Sequence, residues 1–257
     1  KVINIVIKSR TEDAPKQALA LLDDMITLYK RDGNSAIRPN VFTYTSVINA
    51  FAQRGDFNEA MKVFKMQLRD YKQEGNFGAK PNMRTFNSII HACSKSEQNG
   101  MCERAEQLLN TANSWHLRGD LEEGPDVYTY SGVINCWSKS NRPDATQRAI
   151  NILKTMISKH KEYGKENVQP NTVIYSSVLD SCARQGDAEG ASEVFRLMKD
   201  DYQSGNKNAK PDVQTYNIFI DALAKSGNND APQQADSLLK EIDRKSTRLN
   251  SSHANIS

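Results

Sequence analysis

The sequence predicts an all-α protein, a right-handed α-solenoid built from stacked helix-turn-helix repeats. Two observations support this prediction: a proline-led motif recurs every 41 to 45 residues, and two different amphipathic patterns alternate between successive motifs. One helical hairpin cannot bury its own apolar face, so hairpins of this kind stack on one another. The composition agrees, because 38% hydrophobic and 25% charged residues make the chain too apolar for a disordered segment.

Each repeat opens directly after a Pro-[Asn/Asp] pair and soon carries a Thr-Tyr-like pair. Counted this way, repeats begin at residues 41, 83, 127, 172 and 213. A shift of 131 positions overlays Val2-Ile3-Asn4 on Val133-Ile134-Asn135 and reveals an earlier, shortened repeat. The predicted organisation is a partial first repeat at 1–40, repeats at 41–82, 83–126, 127–171 and 172–212, and a truncated last repeat at 213–242.

Two helices are predicted in each repeat. The first carries an apolar pair such as Val47-Ile48 and ends near a Gly or Asn such as Gly55. The second has an Ala followed three and four residues later by an apolar pair, the spacing of a helix whose small residue lies where a neighbour crosses closely. These alanines are Ala18, Ala60, Ala105, Ala149, Ala191 and Ala235. A polar tract then follows, for example residues 73–78, and predicts an extended end and a loop on the outer side of the repeats.

Residues 243–257 depart from the repeat pattern. Asp243 to His253 resembles one reading frame of a sequencing-library adapter, so we interpret 243–257 as a non-native tail and leave it out of the fold prediction. The chain opens at Lys1 without a methionine and continues into an apolar segment, so we expect a fragment of a longer protein. The formal charge of +3 indicates no particular partner.

Several classes of protein are excluded by composition and spacing. Hydrophobic runs are far shorter than the roughly 20 residues of a membrane-spanning helix, so no membrane contact is expected. The four cysteines form no Cys-x-x-Cys pair, which predicts no zinc site, no disulfide framework and a reducing compartment. Cys93 and Cys182 share a position with Phe51, Trp137 and Leu223, which predicts core packing. No catalytic constellation is present, so we expect no cofactor, no metal and no enzyme activity.

The repeat motif resembles the pentatricopeptide repeat, a helical-hairpin family that binds single-stranded RNA. The resemblance rests on Pro-[Asn/Asp]-Val-x-Thr-Tyr, on the Val-Ile that follows and on Gly-Asp-x-x-x-Ala-x-x-Val-Phe, and it covers residues 2–242. Residues 53–66 and 184–198 match it closely. The repeats are longer than is usual in the family because of the polar tract. The tetratricopeptide pattern, with its Trp/Leu-Gly-x-x-Tyr spacing, is missing.

The resemblance implies that each repeat reads one base, through the fifth residue of its first helix and the residue just before the next repeat. The implied base-reading pairs are Thr45 with Asn82, Asn87 with Asp126, Ser131 with Asn171 and Ser176 with Asp212, with Asn40 and Asn217 as single members of incomplete pairs. In the family's recognition pattern these pairs imply the sequence A-U-A-G, read 5′ to 3′. An Asn or Asp before a helix is also the usual N-cap, so capping stays open as the explanation of each one alone.

Two further rows of side chains follow the repeat. At the second position of the first helix, Phe42, Tyr128 and Val173 are implied to stack on bases, whereas Arg84 and Gln214 depart from the apolar pattern. The thirteenth position is basic in most repeats, which predicts one phosphate contact per hairpin. The predicted phosphate-contacting residues are Lys8, Lys95, Lys139, Arg184 and Lys225. Solvated helix ends that interact with the helix dipole remain the alternative explanation.

The sequence therefore predicts a monomeric solenoid that binds single-stranded RNA selectively, with other RNA-processing proteins as further partners. The resemblance implies a role in organellar RNA processing, stability, editing or translation, in a mitochondrion or plastid, and otherwise in the cytoplasm. Two alternatives stay open: a helical scaffold for a protein or peptide, and the targeting half of an RNA-processing enzyme whose catalytic domain lies outside this chain. The recurring cation favours RNA, because a peptide groove does not require a positive charge in nearly every repeat.

Overall fold

Helices dominate the computed structural model of the protein, which describes residues 2–9, 11–164, 166–227 and 233. Within these residues there are eleven α-helices and no β-strand. The helices are α1 Val2–Lys8, α2 Ala14–Asp32, α3 Val41–Ala52, α4 Phe57–Lys72, α5 Met83–Lys95, α6 Met101–Leu117, α7 Val127–Ser138, α8 Ala145–Tyr163, α9 Thr172–Gln185, α10 Ala188–Gln203 and α11 Val213–Lys225. The predicted all-α class is confirmed.

First and second helices alternate along the chain, and the odd-numbered helices are the first helices of the predicted repeats. The residues at 41, 83, 127, 172 and 213, where the repeats are predicted to begin, are each the first residue of such a helix. The chain divides into two compact units, Lys1–Cys136 and Trp137–Ser257. In the first unit α3 packs on α4 and on α5, and in the second unit α9 packs on α10 and on α11. This nearest-neighbour packing is typical of helical-repeat proteins.

The first helices begin where they do because a capping side chain precedes them. Asn40, Asn82 and Asp212 each accept a hydrogen bond from the backbone N–H three residues later, and the Thr at that third position completes a capping box. Asn171 caps α9 in the same way, through the N–H of Ile174 at 3.1 Å. The proline-led motif is therefore a helix start signal.

The recurring alanine of the second helices is part of the core. Within the described residues all five such alanines are completely buried, so a larger side chain at these sites would separate the helices. They are Ala18, Ala60, Ala105, Ala149 and Ala191. Ala235 and the tail at 243–257 lie outside the described residues.

The polar tract after the second helix differs from the loop that the sequence predicts, because its end folds back onto the repeat. After α4 a short 3-10 helix, Phe77–Ala79, follows the buried Asn76. The Asn76 side chain donates to the Pro39 carbonyl at 2.8 Å and to the Asp70 carboxylate at 2.7 Å. The Tyr44 hydroxyl donates to the same carboxylate at 3.0 Å.

The second unit repeats this arrangement after α10. The buried Asn206 donates to the Pro170 carbonyl at 2.8 Å and to the Asp201 carboxylate at 2.6 Å, and the Tyr175 hydroxyl donates to Asp201 at 2.9 Å. The sequence did not predict this polar network, because each tract has the local composition of a loop. Burial of the carboxylate requires these donors, since a buried charge without partners is costly.

Two glycines set how closely successive first helices approach. Gly55 follows α3 with φ of 73°, and a Cβ built on it would lie 2.7 Å from the Lys95 carbonyl oxygen at the end of α5. Gly186 follows α9 with φ of 66°, and its Cβ would lie 3.1 Å from the Lys225 carbonyl oxygen at the end of α11. Glycine suits both positions, because it adopts left-handed backbone without strain and has no side chain to collide with the neighbouring carbonyl.

None of the helices in the described part of the chain is long and apolar enough to cross a membrane.

Candidate nucleic-acid interface

A groove of about 640 Å³ runs across the first unit between α3, α5 and the N-terminal part of α7. Six of its lining residues belong to the predicted base-reading and base-stacking rows: Phe42, Thr45, Asn82, Asn87, Tyr128 and Ser131. Gly132 allows α7 to pack closely against α5, because a Cβ at this position would lie 2.7 Å from Ile90 Cγ2 on α5. Residues separated by more than eighty positions in the sequence thus line one surface.

Asn87 and Asp126, a predicted base-reading pair, are in direct contact. The Asn87 amide nitrogen donates to Asp126 Oδ1 at 3.1 Å, and the Thr129 hydroxyl donates to Asn87 Oδ1 at 2.7 Å. Asp126 Oδ1 also accepts from the Thr129 backbone N–H at 2.9 Å, which is an N-cap interaction at the start of α7. These hydrogen bonds link Asp126 to Asn87, which lines the groove.

Thr45 and Asn82, another predicted pair, are linked through one further residue. The Thr45 hydroxyl lies 3.0 Å from the Thr85 hydroxyl, and Thr85 donates to Asn82 Oδ1 at 3.4 Å. Asn82 accepts the Thr85 backbone N–H at 3.2 Å as the cap of α5. The fifth residue of one first helix therefore lies beside the cap of the next in both pairs of the first unit.

In the second unit the predicted pair is Ser176, half-buried on α9, and Asp212, the exposed cap of α11. Asp212 Oδ1 accepts both the Thr215 backbone N–H at 2.8 Å and the Thr215 hydroxyl at 2.6 Å. The hydrogen bond from the Thr215 side chain lowers the pKa of the Asp212 carboxyl, so this side chain is an acceptor without a proton at neutral pH. Asn217 is exposed on α11.

The remaining predicted base-reading residues are placed as follows. Ser131 lies in the first unit, where its hydroxyl accepts from Asn135 at 3.5 Å, and its predicted partner Asn171 lies in the second unit as the cap of α9. Asn40 is exposed and caps α3. Capping uses one oxygen of each side chain, so the capping role does not occupy every polar atom of these residues.

The predicted stacking residues are large apolar side chains that the fold leaves in solvent. Phe42 is 67% exposed, Tyr128 is 74% exposed and Val173 is 68% exposed. Phe42 and Tyr128 both line the groove of the first unit, whereas Val173 lies on α9 in the second unit. An apolar surface that folding does not bury is available for a ligand.

The predicted phosphate-contacting residues lie at or just after the ends of first helices, and all five are exposed. Their electrostatic settings differ. Arg184 forms an ion pair with Asp180, and Lys225 forms one with Asp221 at 2.7 Å, each with a carboxylate one helical turn earlier. In α5 and α7 the residue one helical turn earlier is not an aspartate. It is His91 in α5 and Asn135 in α7. Lys8, Lys95 and Lys139 complete the set.

Sequence reasoning missed a third row that lines the groove, at the ninth position of the first helices. Asn49, His91 and Asn135 occupy this position on α3, α5 and α7. The sequence carries a signal for them, because a residue four positions after the base-reading residue lies on the same face of a helix. Arg84, noted only as a departure from the apolar stacking row, also lines the groove.

The buried cysteines occupy core positions. Cys93 is 1% exposed and Cys182 is fully buried, as their shared position predicts. Burial raises the pKa of each thiol to about 12. Among the described residues no group of histidine, cysteine and acidic side chains is arranged to hold a metal ion.

The fold and the recurring motif define a helical-repeat protein, and comparison with known families identifies which one. The model of the PPR repeat family matches residues 39–95 and 170–225, and the PPR repeat model matches residues 214–246. These matches cover more than half of the chain, and the protein belongs to the pentatricopeptide repeat family. The last match runs four residues past the predicted end of the repeats at 242.

Solved structures share this fold. The chain is similar to the PPR domain of Arabidopsis thaliana protein-only RNase P 1 in complex with tRNA, with a TM-score of 0.52 and 19% identity over 82% of this chain and 95% of that one. It is also similar to PPR10 from maize, with a TM-score of 0.57 and 19% identity over 98% of this chain and 32% of that one. PPR10 in complex with an 18-nt psaJ RNA element gives a TM-score of 0.52 and 22% identity, over 86% of this chain and 27% of that one.

At these identities the likeness shows the fold. The chain spans about a third of the PPR10 chain and nearly all of the RNase P repeat domain. No curated protein matches this sequence.

Proposed function

We propose that this protein binds single-stranded RNA and selects its sequence through the groove on the first helices. The observation that supports this function is the composition of that groove, in which the exposed rings of Phe42 and Tyr128 flank the short polar side chains of Thr45, Asn82 and Asn87. Aromatic faces accept any base by stacking, at about 1–3 kcal/mol per base, whereas short polar side chains contact a base edge without filling its space. Family membership and two RNA-bound neighbours support the same function.

The second residue of each pair distinguishes bases by the hydrogen bond it can form with the base edge. The Watson–Crick edges of uracil and guanine carry a ring N–H donor, which an aspartate carboxylate accepts. The edges of adenine and cytosine carry a ring nitrogen acceptor, which an asparagine amide satisfies as a donor. On this basis Asp126 and Asp212 each accept uracil or guanine, and Asn82 and Asn171 each accept adenine or cytosine. The family's recognition pattern, which also depends on the fifth residue of each first helix, narrows these choices to A-U-A-G.

An organellar role in RNA processing, stability, editing or translation, in a mitochondrion or plastid, extends this proposal. Membership of the pentatricopeptide repeat family supports it. In this proposal the described repeats bind RNA and carry out no chemistry themselves.

A second candidate is favoured by the likeness to a repeat domain of an RNase P. Here the chain would be the RNA-binding part of a longer RNA-processing enzyme. Completion of the coding sequence in the source transcript distinguishes the two, because the second candidate requires a catalytic domain in the same polypeptide.

The variant Asp126→Asn tests base reading at a pair whose geometry is defined. We expect the wild-type protein to prefer RNA containing A-U-A-G over A-C-A-G, and Asp126→Asn to prefer A-C-A-G, because asparagine can donate to the ring nitrogen of cytosine. A mismatched base costs about 1–3 kcal/mol, which corresponds to roughly 5-fold to 150-fold in affinity. Fluorescence anisotropy with the two labelled RNAs measures this preference.

The matched control is Asp56→Asn. Asp56 caps α4, a second helix, and accepts the Glu59 backbone N–H at 3.2 Å, and asparagine caps as well as aspartate. The control should keep the wild-type preference for uracil. If Asp126→Asn retains that preference too, base reading by this pair is refuted while RNA binding stands. If the wild-type protein binds neither RNA, the proposed function is wrong.

A further inference from the structure

Two cysteine side chains from neighbouring repeats lie side by side in the first unit. Cys102 is the second residue of α6, and Cys136 lies on α7. Their Sγ atoms are 2.7 Å apart, although the residues are 34 positions apart in the sequence. A disulfide bond is about 2.05 Å long, so bond formation requires the sulfur atoms to move by only about 0.7 Å. The cysteine spacing alone predicted no disulfide framework and did not indicate this pair.

The two thiols are not equivalent. Cys102 is half-buried and therefore reachable, and it lies in the first turn of the 17-residue α6, where the helix dipole favours negative charge. Cys136 is 5% exposed. The hydrogen bond to Cys102, together with burial, raises the pKa of the Cys136 thiol, so Cys136 keeps its proton at neutral pH. This asymmetry separates an attacking thiol from a resolving thiol.

The third cysteine of this unit is not placed to compete. Cys93 is 1% exposed, and the Cys136 sulfur contacts the backbone carbonyl oxygen of Cys93, at 3.8 Å. Burial keeps the Cys93 thiol protonated at neutral pH, because its pKa is raised to about 12. Cys182 lies in the second unit. The geometry therefore selects one pair.

We propose that Cys102 and Cys136 form a reversible disulfide, joining α6 to α7, when the protein meets a low-molecular-weight disulfide such as oxidised glutathione. The Cys102 thiolate attacks one sulfur of oxidised glutathione, the glutathione S–S bond breaks, and one glutathione leaves as a thiolate. Cys136 then loses its proton and attacks the Cys102 sulfur of the mixed disulfide, releasing the second glutathione. The two protein thiols are oxidised, the glutathione disulfide is reduced, and the two protons end on the two glutathione thiols.

The bond would connect two successive repeats at the helix that carries part of the groove. α6 is the second helix of one predicted repeat, and α7 is the first helix of the next and bears Tyr128 and Ser131. Cross-linking these helices limits how far the repeats can separate. The proposed chemistry does not depend on RNA binding, so its test is independent of the proposed function.

Mass spectrometry of the full chain tests the pairing. After incubation with oxidised glutathione, the protein is unfolded in urea so that buried thiols can react, the remaining thiols are blocked with N-ethylmaleimide, and the protein is digested with trypsin. Cys102 then lies in residues 96–104, Cys136 in residues 119–139 and Cys93 in residues 85–95. We expect a disulfide-linked species of 96–104 with 119–139, with 85–95 carrying the maleimide, and reversal by dithiothreitol.

Single variants test the order of attack. Cys136→Ser should accumulate a glutathione adduct on Cys102, because no resolving thiol remains. Cys102→Ser should leave Cys136 without an adduct under the same conditions, and Cys93→Ser, a buried control, should still form the cross-link. Circular dichroism checks that each variant is folded. The proposal is overturned if the cross-link involves residues 85–95, if it forms only between chains, or if Cys136→Ser carries no adduct on Cys102.

Discussion

Asp70 and Asp201 are the residues on which the polar interior of the repeats depends. Each lies beneath a first helix and accepts hydrogen bonds from a tyrosine and an asparagine of its own repeat. Burial and the neighbouring carboxylate raise the pKa of Tyr44 and of Tyr175, so both phenols remain donors at every physiological pH. In these two repeats the tyrosine of the recurring motif is therefore both a core residue and a hydrogen-bond donor.

The variant Asn76→Ala should destabilise the protein by about 1–3 kcal/mol, because the Pro39 carbonyl loses its side-chain donor and Asp70 Oδ2 keeps only the Tyr44 hydroxyl as a donor. Urea unfolding measures the change as a lower midpoint with an unchanged slope. Asn34→Ala is the control, since Asn34 only caps an exposed 3-10 helix, Ser35–Ile37, by accepting the Ala36 N–H. Equal losses of stability in the two variants would show that the buried network contributes no more than the exposed cap does.

At the scale of elements, packing between first helices depends on a glycine in the turns that follow α3 and α9. Gly55 touches the end of α5 and Gly186 touches the end of α11, so the same device occurs once in each unit. The carbonyl that each glycine approaches belongs to Lys95 or Lys225, at the predicted phosphate-contacting position. The turn thereby sets where these basic residues sit relative to the preceding repeat.

Gly55→Ala should cost more stability than Gly33→Ala. Both glycines have left-handed backbone, with φ of 73° and 65°, so alanine costs about 1–2 kcal/mol at either site. A Cβ at Gly33 has no atom within 4 Å, whereas a Cβ at Gly55 would overlap the Lys95 carbonyl and force α3 and α5 apart. Thermal unfolding of the two variants measures the difference. Identical losses would mean that the backbone conformation alone requires glycine at position 55.

For the whole molecule, the distribution of charge matters more than the net charge. The cations Arg184 and Lys225 of the second unit are paired with aspartates, and RNA must compete with those carboxylates for them. Lys95 in the first unit has His91, not an aspartate, one turn before it. The predicted phosphate contacts should therefore contribute unequally to RNA binding.

The salt dependence of RNA affinity tests this inequality. Five phosphate contacts predict a log–log slope of about −3.5, at roughly −0.7 per contact on single strands. Lys95→Ala should make the slope shallower by about 0.7, whereas Arg184→Ala should change it less, because Asp180 already neutralises part of the arginine charge. Asp180→Asn should raise affinity. Binding titrations from low to high salt give the slopes, and an unchanged slope for Lys95→Ala would remove Lys95 from the phosphate-contacting set.

Local sequence was sufficient to locate the helices and the repeat period. Helix starts depend on a capping residue and the few amides after it, as at Asn82, and helix faces depend on spacing along one segment, as at Ala60. These are properties of contiguous residues. For the same reason six of the residues that line the groove could be named in advance, since their positions are counted from the helix start.

Contacts between repeats were decided only by the tertiary structure. Three such contacts join segments that are more than thirty residues apart. Cys102 lies 2.7 Å from Cys136, Gly55 packs against the Lys95 carbonyl, and the Asn76 side chain donates to the Pro39 carbonyl. The inclusion of His91 in the groove likewise needs the position of α5 between its neighbours. Such contacts depend on the distance and angle at which helices stack, and side-chain periodicity within one helix does not specify either quantity.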